Sequence, residues 1–326
     1  MNVKIATAQY DISFLETWAN YQQKTERWVK EAADQGAKIL LFPEYNTMEL
    51  ASLFPQSVYS SLSEQLVALQ TLHEAFLNLF QGLAQEYQCY IQSGTFPVCI
   101  AEKVYRNRAY LFMPNGECDF QDKIMMTRFE NEQWFIGAGN ELKCFDTAYG
   151  RIAINVCYDS EFPLLARKQV EAGANLILVP SCTDTVAGFH RVKIGCQARA
   201  LENQCYVVQA CLVGDAPWSE AVDVNVGAAG VYTPVDYDFP SNGILESGEF
   251  NVPQWVFSTI DLQNCEKVRA QGQVFNYRDW SRQLHFASYS KILSHICVTC
   301  SRKSAKYSAA TSALSPCRTR LCPASR

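Results

Sequence analysis

Glu44, Lys123 and Cys157 each sit where a side chain suits a different task in attacking a carbonyl or nitrile carbon. Glu44 closes the apolar run Ile39-Leu40-Leu41-Phe42 in the segment LFPEY, and Lys123 lies in FQDKIMM. Cys157 follows Arg151-Ile152-Ala153-Ile154-Asn155-Val156 and precedes YDSEFP. A thiol that titrates near ~8.5 is weakly ionised at neutral pH and needs a base or a cation beside it to act as a nucleophile. A carboxylate such as Glu44 can take the proton. Lys123 can stabilise both the thiolate and an oxyanion formed on attack, with the backbone N–H of Tyr158 as a second donor.

For these three to meet, the elements carrying them must converge, and the hydrophobic pattern predicts that they do. VKIATAQY is a strand, 18–35 a helix, and 38–42 the strand that delivers Glu44; 61–87 has helical spacing, and CYIQSGTF is the next strand. Strands are expected near 108–113, 142–146 and 151–156, then a helix over 161–172, the strand NLILVP, a helix over 187–203 and the strand YVVQA. Each of the three residues falls at or just past the carboxyl end of a strand, the usual place for chemistry in α/β folds. Alternating strands and helices imply sheets with helices on their outer faces.

Composition sets the limits. The 326 residues, 48% of them hydrophobic and 19% charged, suffice for one large core. A net charge of −5 without a basic stripe gives no support to nucleic-acid binding. The start MNVKIATAQYDI lacks the pattern of a signal peptide, and no run approaches the ~20 apolar residues of a membrane span, so a soluble cytoplasmic protein with no membrane partner is expected. Fourteen cysteines, those of the body mostly in apolar stretches, fit reduced, buried thiols. Four histidines supply neither a histidine-based triad nor a histidine-rich metal centre; His190 is the one pocket candidate, though a helix-start or surface role suits it better.

After Trp280 the character changes: no Asp or Glu follows Asp279, while Lys, Arg, Ser and Ala accumulate. A domain over 1–280 and a disordered basic tail over 281–326 are expected. Cys297, Cys300, Cys317 and Cys322 could be read as four zinc ligands, but the second pair is spaced CxxxxC, so no metal is assigned.

LFPEY, DKIMM and NVCYDSEFP, in this order, resemble the three signature blocks of the nitrilase superfamily of carbon–nitrogen hydrolases, and the resemblance covers roughly 1–280. EQWFIGAG at 132–139 resembles the block with a second glutamate, for which Glu132 is the better match and Glu130 the near competitor. CQARALENQCYVV resembles the helix and strand downstream of the cysteine, with Arg199, Glu202 and Asn203 at matching positions; Arg199 reads as a structural or interface arginine. The resemblance implies a four-layer αββα sandwich and a Glu44–Lys123–Cys157 triad, with Glu132 orienting the amide nitrogen or the water. It further implies no metal or organic cofactor, a small amide or N-carbamoyl substrate, and a homodimer or larger homo-oligomer. A nitrilase working through a thioimidate is the nearest alternative, and a catalytically silent scaffold of the same fold is the alternative from another class. Two departures separate the chain from the common pattern. Ser160-Glu161 stands where an arginine-containing CYDxRFP block is usual, and VGAAGVYTP at 226–234 replaces a glycine–histidine–serine stretch. Glu161, if it faces the pocket, would favour a cationic or neutral substrate end over a carboxylate. The pocket's shape is expected to come from loops such as 46–60, 125–140 and 183–190.

Overall fold

The computed structural model describes residues 2–284. Its strands are β1 (Asn2–Asp11), β2 (Ile39–Phe42), β3 (Tyr90–Ala101), β4 (Val104–Phe112), β5 (Cys118–Asp122), β6 (Ile136–Gly137) and β7 (Cys144–Thr147). They continue with β8 (Gly150–Ile154), β9 (Leu176–Ser181), β10 (Tyr206–Asp215), β11 (Val224–Asn225), β12 (Gly230–Tyr232), β13 (Ile244–Ser247) and β14 (Gln254–Asp261). The helices used below are α1 (Trp18–Asp34), α2 (Gln56–Tyr59), α3 (Leu62–Leu69), α4 (His73–Tyr87), α5 (Pro163–Glu171) and α6 (Val186–Asn203).

Strand alternation sorts the core into two bodies. In β1, Ala6, Ala8 and Tyr10 join Leu40 and Phe42 of β2 in a cluster with Trp28 and Val29 of α1 and Phe76 and Phe80 of α4. The intervening residues Val3, Ile5, Ile39 and Leu41 join the inward faces of β8, β9 and β10 and the apolar side of α5 and α6. A period of two in side-chain direction lets one strand serve both bodies, so the sandwich has helices outside and sheet inside.

The main sheet path runs β5-β4-β3-β2-β1-β10-β9-β8-β7. β1 is parallel to both β2 and β10, while β8, β9 and β10 are parallel to one another. β4 runs antiparallel to β3, and β5 antiparallel to β4, so β5 points the same way as β2 and β3. The carboxyl ends of β2, β5, β8 and β9 therefore open on one edge, which is how Glu44, Lys123, Cys157 and Cys182 come together from separate strands.

Most expected elements lie within a few residues of their predicted bounds. The helical stretch 61–87 is divided: α3 ends at Leu69, a 3-10 turn covers Gln70–Leu72, and α4 follows. Gln70 explains the division, because its amide donates to the Pro97 carbonyl at 2.7 Å and accepts from the Cys99 amide at 2.9 Å, fastening the turn to the edge of β3. β5, expected only as a strand ending at Lys123 and without bounds, has no apolar alternation beyond Phe120; as an edge strand pairing only with β4 it needs little. The residues up to Trp280 make one compact unit. The expected tail lies outside the described residues except for 281–284, as do all four cysteines of the zinc reading.

Candidate active site

Glu44 is presented by a corner whose geometry the local sequence does not announce. Tyr45 takes a left-handed conformation at φ 57°, turning the chain into a 3-10 helix over Asn46–Leu53. That corner is stitched to β3: the Tyr45 amide donates to Thr95 Oγ1 at 2.9 Å, Asn46 Nδ2 to the Ser93 carbonyl at 3.1 Å, and Thr47 Oγ1 to the Thr95 carbonyl at 2.7 Å. Gly94 permits the approach, since a Cβ there would meet Asn46 Oδ1 at 2.0 Å. Non-glycine residues held at positive φ are costly and accumulate where a side chain must be aimed.

Lys123 is buried between two carboxylates. Its Nζ donates to Glu44 Oε1 at 2.7 Å and to both oxygens of Glu130 at 2.8 Å. Burial disfavours its charge, but Glu130 and Glu44 outweigh that and hold it well above the ordinary lysine range. The two glutamates diverge in turn. Burial works against ionised Glu130, yet Lys123, the Tyr45 hydroxyl and the Thr127 amide prevail and keep it below its usual value. Glu44 lies above its usual value because burial, with the Glu130 charge added, exceeds the pull of Lys123. Pairs of acids driven apart in this way divide the labour: Glu130 is the fixed counter-ion and Glu44 the group placed to exchange a proton.

The two oxygens of Glu44 are also distinct. Oε1 is occupied by Lys123 and by Asn107 Nδ2 at 2.8 Å. Oε2 accepts only the longer bond from the Cys182 amide at 3.2 Å, and the carboxylate hydrogen-bonds the Cys157 side chain. Asn107, buried on β4, donates to Glu130 as well, and its carbonyl accepts the Lys123 amide at 2.9 Å. It joins both acids and the lysine.

Cys157 follows β8 at φ 48°, the first residue of a 3-10 turn over Cys157–Glu161. Its Sγ contacts the Cys182 carbonyl at 3.5 Å. Burial and the Glu44 carboxylate push the thiol well above its ordinary range, with Lys123 pulling the other way, so the resting sulfur carries its proton. Helix α6 packs directly on this turn: a Cβ at Gly195 would lie 2.9 Å from the Ser160 carbonyl, and Arg199 Nη1 donates to that same oxygen at 3.0 Å. Arg199 is therefore a brace behind the nucleophile, tied also to Glu202.

Glu132, the better match by sequence, lies on the cleft wall with its side chain 53% exposed and pairs with Arg128 at 2.8 Å, whereas Glu130 is 2% exposed and holds Lys123. Residues two apart in a helical turn point to opposite sides, so only one of the pair can face inward. A sequence signal existed: Thr127 and Glu130 are spaced T-x-x-E, and they exchange reciprocal bonds, the Thr127 amide to Glu130 Oε2 at 2.8 Å and the Glu130 amide to Thr127 Oγ1 at 3.3 Å. Glu130→Gln is expected to lower turnover by at least ~10²-fold and Glu132→Gln to leave it within about threefold, checked by steady-state kinetics of the two purified variants. Equal losses would remove the distinction.

A cleft of about 830 Å³ opens over these groups. Tyr158 and Glu161 both line it, as does Cys182; His190 is exposed and does not. Residues 126–134, Asp184 and Arg191 form its walls, as expected for two of the three loops, but 220–224 takes the place anticipated for 46–60. Residues 46–52 are buried, braced by Glu49, which accepts from Lys24 Nζ at 2.8 Å and from the Tyr10 hydroxyl. Among the described residues no three His, Cys, Asp or Glu side chains are gathered to hold a metal ion, and the ten described cysteines are unpaired.

Comparison with known proteins places this architecture. The family model described as carbon-nitrogen hydrolase matches residues 4–238, and the chain belongs to that family, within the nitrilase superfamily. It is 35% identical over 289 residues to the probable hydrolase YhcX of Bacillus subtilis, a match covering 89% of this chain and 56% of that protein; the chain thus spans a little over half the length of this relative. It is 28% identical over 264 residues to the omega-amidase NIT2 of Homo sapiens, covering 77% of this chain and 86% of that one. The fold is that of the carbon-nitrogen hydrolase from Helicobacter pylori G27, with a TM-score of 0.71, 16% identity, and coverage of 89% of this chain and 99% of that chain. No helix among the described residues is long and apolar enough to cross a membrane.

Proposed function

We propose that this chain hydrolyses a small linear amide or N-carbamoyl compound through a thioester on Cys157. The observation that carries this reading is the convergence, from separate strands, of a cysteine thiol, a glutamate in contact with it, and a lysine locked between two acids. Glu44 takes the Cys157 proton, and the thiolate attacks the carbonyl carbon. Lys123 Nζ and the Tyr158 amide stabilise the oxyanion. Collapse breaks the C–N bond, and Glu44 passes its proton to the departing ammonia or amine. Glu44 then takes a proton from water, which attacks the thioester; the acid leaves and the thiol is restored. Glu130 keeps Lys123 charged and aimed throughout. Amidase names among the relatives support amide over nitrile, which would require addition of the same thiol as a thioimidate. Ammonia release from a panel of amides, ureido acids, carbamoyl amines and nitriles tests the reading; turnover confined to nitriles would replace it with the nitrilase alternative.

The mouth of the cleft supports a narrower statement about charge. Arg128 is engaged by Glu132, and Arg191 lies 3.7 Å from Glu161, while Asp184, Glu220 and Asp223 add three further carboxylates to the lining. An amino-terminated amide is expected to be used about fivefold or more better than its carboxylate-terminated analogue, a difference of ~1 kcal/mol, and Glu161→Gln should narrow the gap. A preference for the carboxylate, unchanged by Glu161→Gln, would eliminate this idea. We also propose that the chain self-associates, supported by Leu164 of α5 and Ile194 of α6, which are exposed apolar residues on adjoining helices. Sedimentation at the mass of a single chain would remove it.

A further inference from the structure

Asp159, two residues past the nucleophile, has no part in the steps above, yet it is buried and fully engaged. Its Oδ1 accepts the amides of Ile124 at 3.1 Å and Met125 at 2.6 Å; its Oδ2 accepts the amide of Val156 at 3.0 Å. Its own amide donates to the Val156 carbonyl at 2.9 Å. The three donors belong to two segments that reach the site from opposite halves of the sheet. Ile124 and Met125 directly follow Lys123 at the end of β5, and Val156 directly precedes Cys157 at the end of β8.

We propose that Asp159 is a positioning residue that clamps the lysine segment to the nucleophile turn and so fixes Lys123 Nζ against Cys157 Sγ. The requirement is geometric. β5 is an edge strand; the Lys123 amide still bonds the Asn107 carbonyl of β4 at 2.9 Å, but Ile124 and Met125 beyond it enter no ladder, so nothing in the sheet ties the lysine segment to the nucleophile turn. A carboxylate is the group for the task, since it offers acceptors on both oxygens and no donor; an asparagine would turn an N–H₂ toward one of the amide N–H groups and lose half of the clamp. Three backbone donors on one buried carboxylate also make directional bonds and oppose the burial that pushes Asp159 up to about 7. The serine and glutamate that follow, Ser160 and Glu161, contribute nothing to this link: Ser160 Oγ donates back to the Cys157 carbonyl, and Glu161 faces the cleft.

The inference rests on Lys123 acting upon Cys157, as in the proposed reaction, but its test does not require the substrate. The rate of Cys157 alkylation by iodoacetamide is measured in the full chain for wild type, Asp159→Asn and Asp159→Glu, each with its melting temperature, alongside kcat and KM on whichever amide is turned over. Asp159→Asn is expected to slow alkylation by about tenfold and to lower kcat by about 10²-fold while KM stays within threefold, because a shift of the order of 1 Å in a catalytic group suffices for such a loss. Asp159→Glu, which keeps both acceptors on a longer arm, should recover part of each. Alkylation of the Asn variant at the wild-type rate overturns the clamp. So does a slowing shared equally by the Asn and Glu variants, which would report disturbed packing rather than a lost acceptor. A wild-type protein that is alkylated normally but turns over none of the panel counts against the proposed reaction and leaves the alkylation comparison to decide on Asp159.

Discussion

Cys157→Ala is expected to abolish ammonia release, by about 10⁴-fold or more, while the protein melts within a few degrees of wild type. The separation follows from what the thiol does in the resting structure. Its Sγ contacts the Cys182 carbonyl at 3.5 Å and meets the Glu44 carboxylate, and although Cys157 belongs to the second core body it also lines the cleft, so removing one small sulfur there costs about 1–2 kcal/mol. Alanine keeps the Cβ and therefore the same φ at the corner. Cys182→Ala is the demanding control, because Cys182 lines the same cleft and lies within reach of Glu44; its sulfur nevertheless contacts Asn225 Oδ1 at 3.2 Å and has no place in the bond-making steps. Cys196, on the buried side of α6, and Cys205, just past its end, are easier ones. Turnover surviving in Cys157→Ala, or lost only in Cys182→Ala, would transfer the chemistry to another thiol.

Lys123→Met should damage both activity and stability, unlike the cysteine change. The oxyanion loses its cationic donor, at a cost of at least ~10²-fold in turnover. Glu44 and Glu130 lose their shared counter-ion and remain buried, both in contact with the Asn107 amide at 2.8 and 3.3 Å. Breaking a buried ion pair by removing one partner typically costs about 3–5 kcal/mol, since the abandoned charge must be neutralised in place. Adding Glu130→Gln to Lys123→Met removes one abandoned carboxylate and should restore part of the stability and none of the turnover. Denaturant unfolding with parallel ammonia assays decides the matter: a double variant no more stable than the single one would mean that the Glu130–Lys123 pair is not what the lysine holds together.

Glu44 and Cys157 were legible because each ends an apolar strand followed by a local motif; Lys123 was legible from its motif block alone, since β5 carries little apolar pattern. Glu130 was not separable from Glu132 by that kind of reading. Both lie a few residues past Lys123, and the choice depends on which side of one turn faces inward, a matter of rotation about a helix axis fixed by Tyr45, Thr127 and Lys123 from three different segments. The bonding roles of Asn107 and Asp159 carry no local signal for a related reason. A buried asparagine in a strand and an aspartate after a tyrosine have no distinctive neighbours in sequence, and their partners are at Glu44 and Glu130 in one case and at Ile124 and Met125 in the other.

The sequence by itself determined the class of fold, the order of the elements and the three residues, Glu44, Lys123 and Cys157, that the fold brings together, because period-two and helical patterns and ordered motif blocks are local properties of a chain. The tertiary structure alone decided which second glutamate holds the lysine, which oxygen of Glu44 the lysine occupies, and that 220–224 rather than 46–60 walls the cleft. Those outcomes are set where the carboxyl ends of β2, β5, β8 and β9 meet on one edge, and the energies there, of buried charge against buried charge, depend on distances between residues up to 138 positions apart that no local pattern encodes.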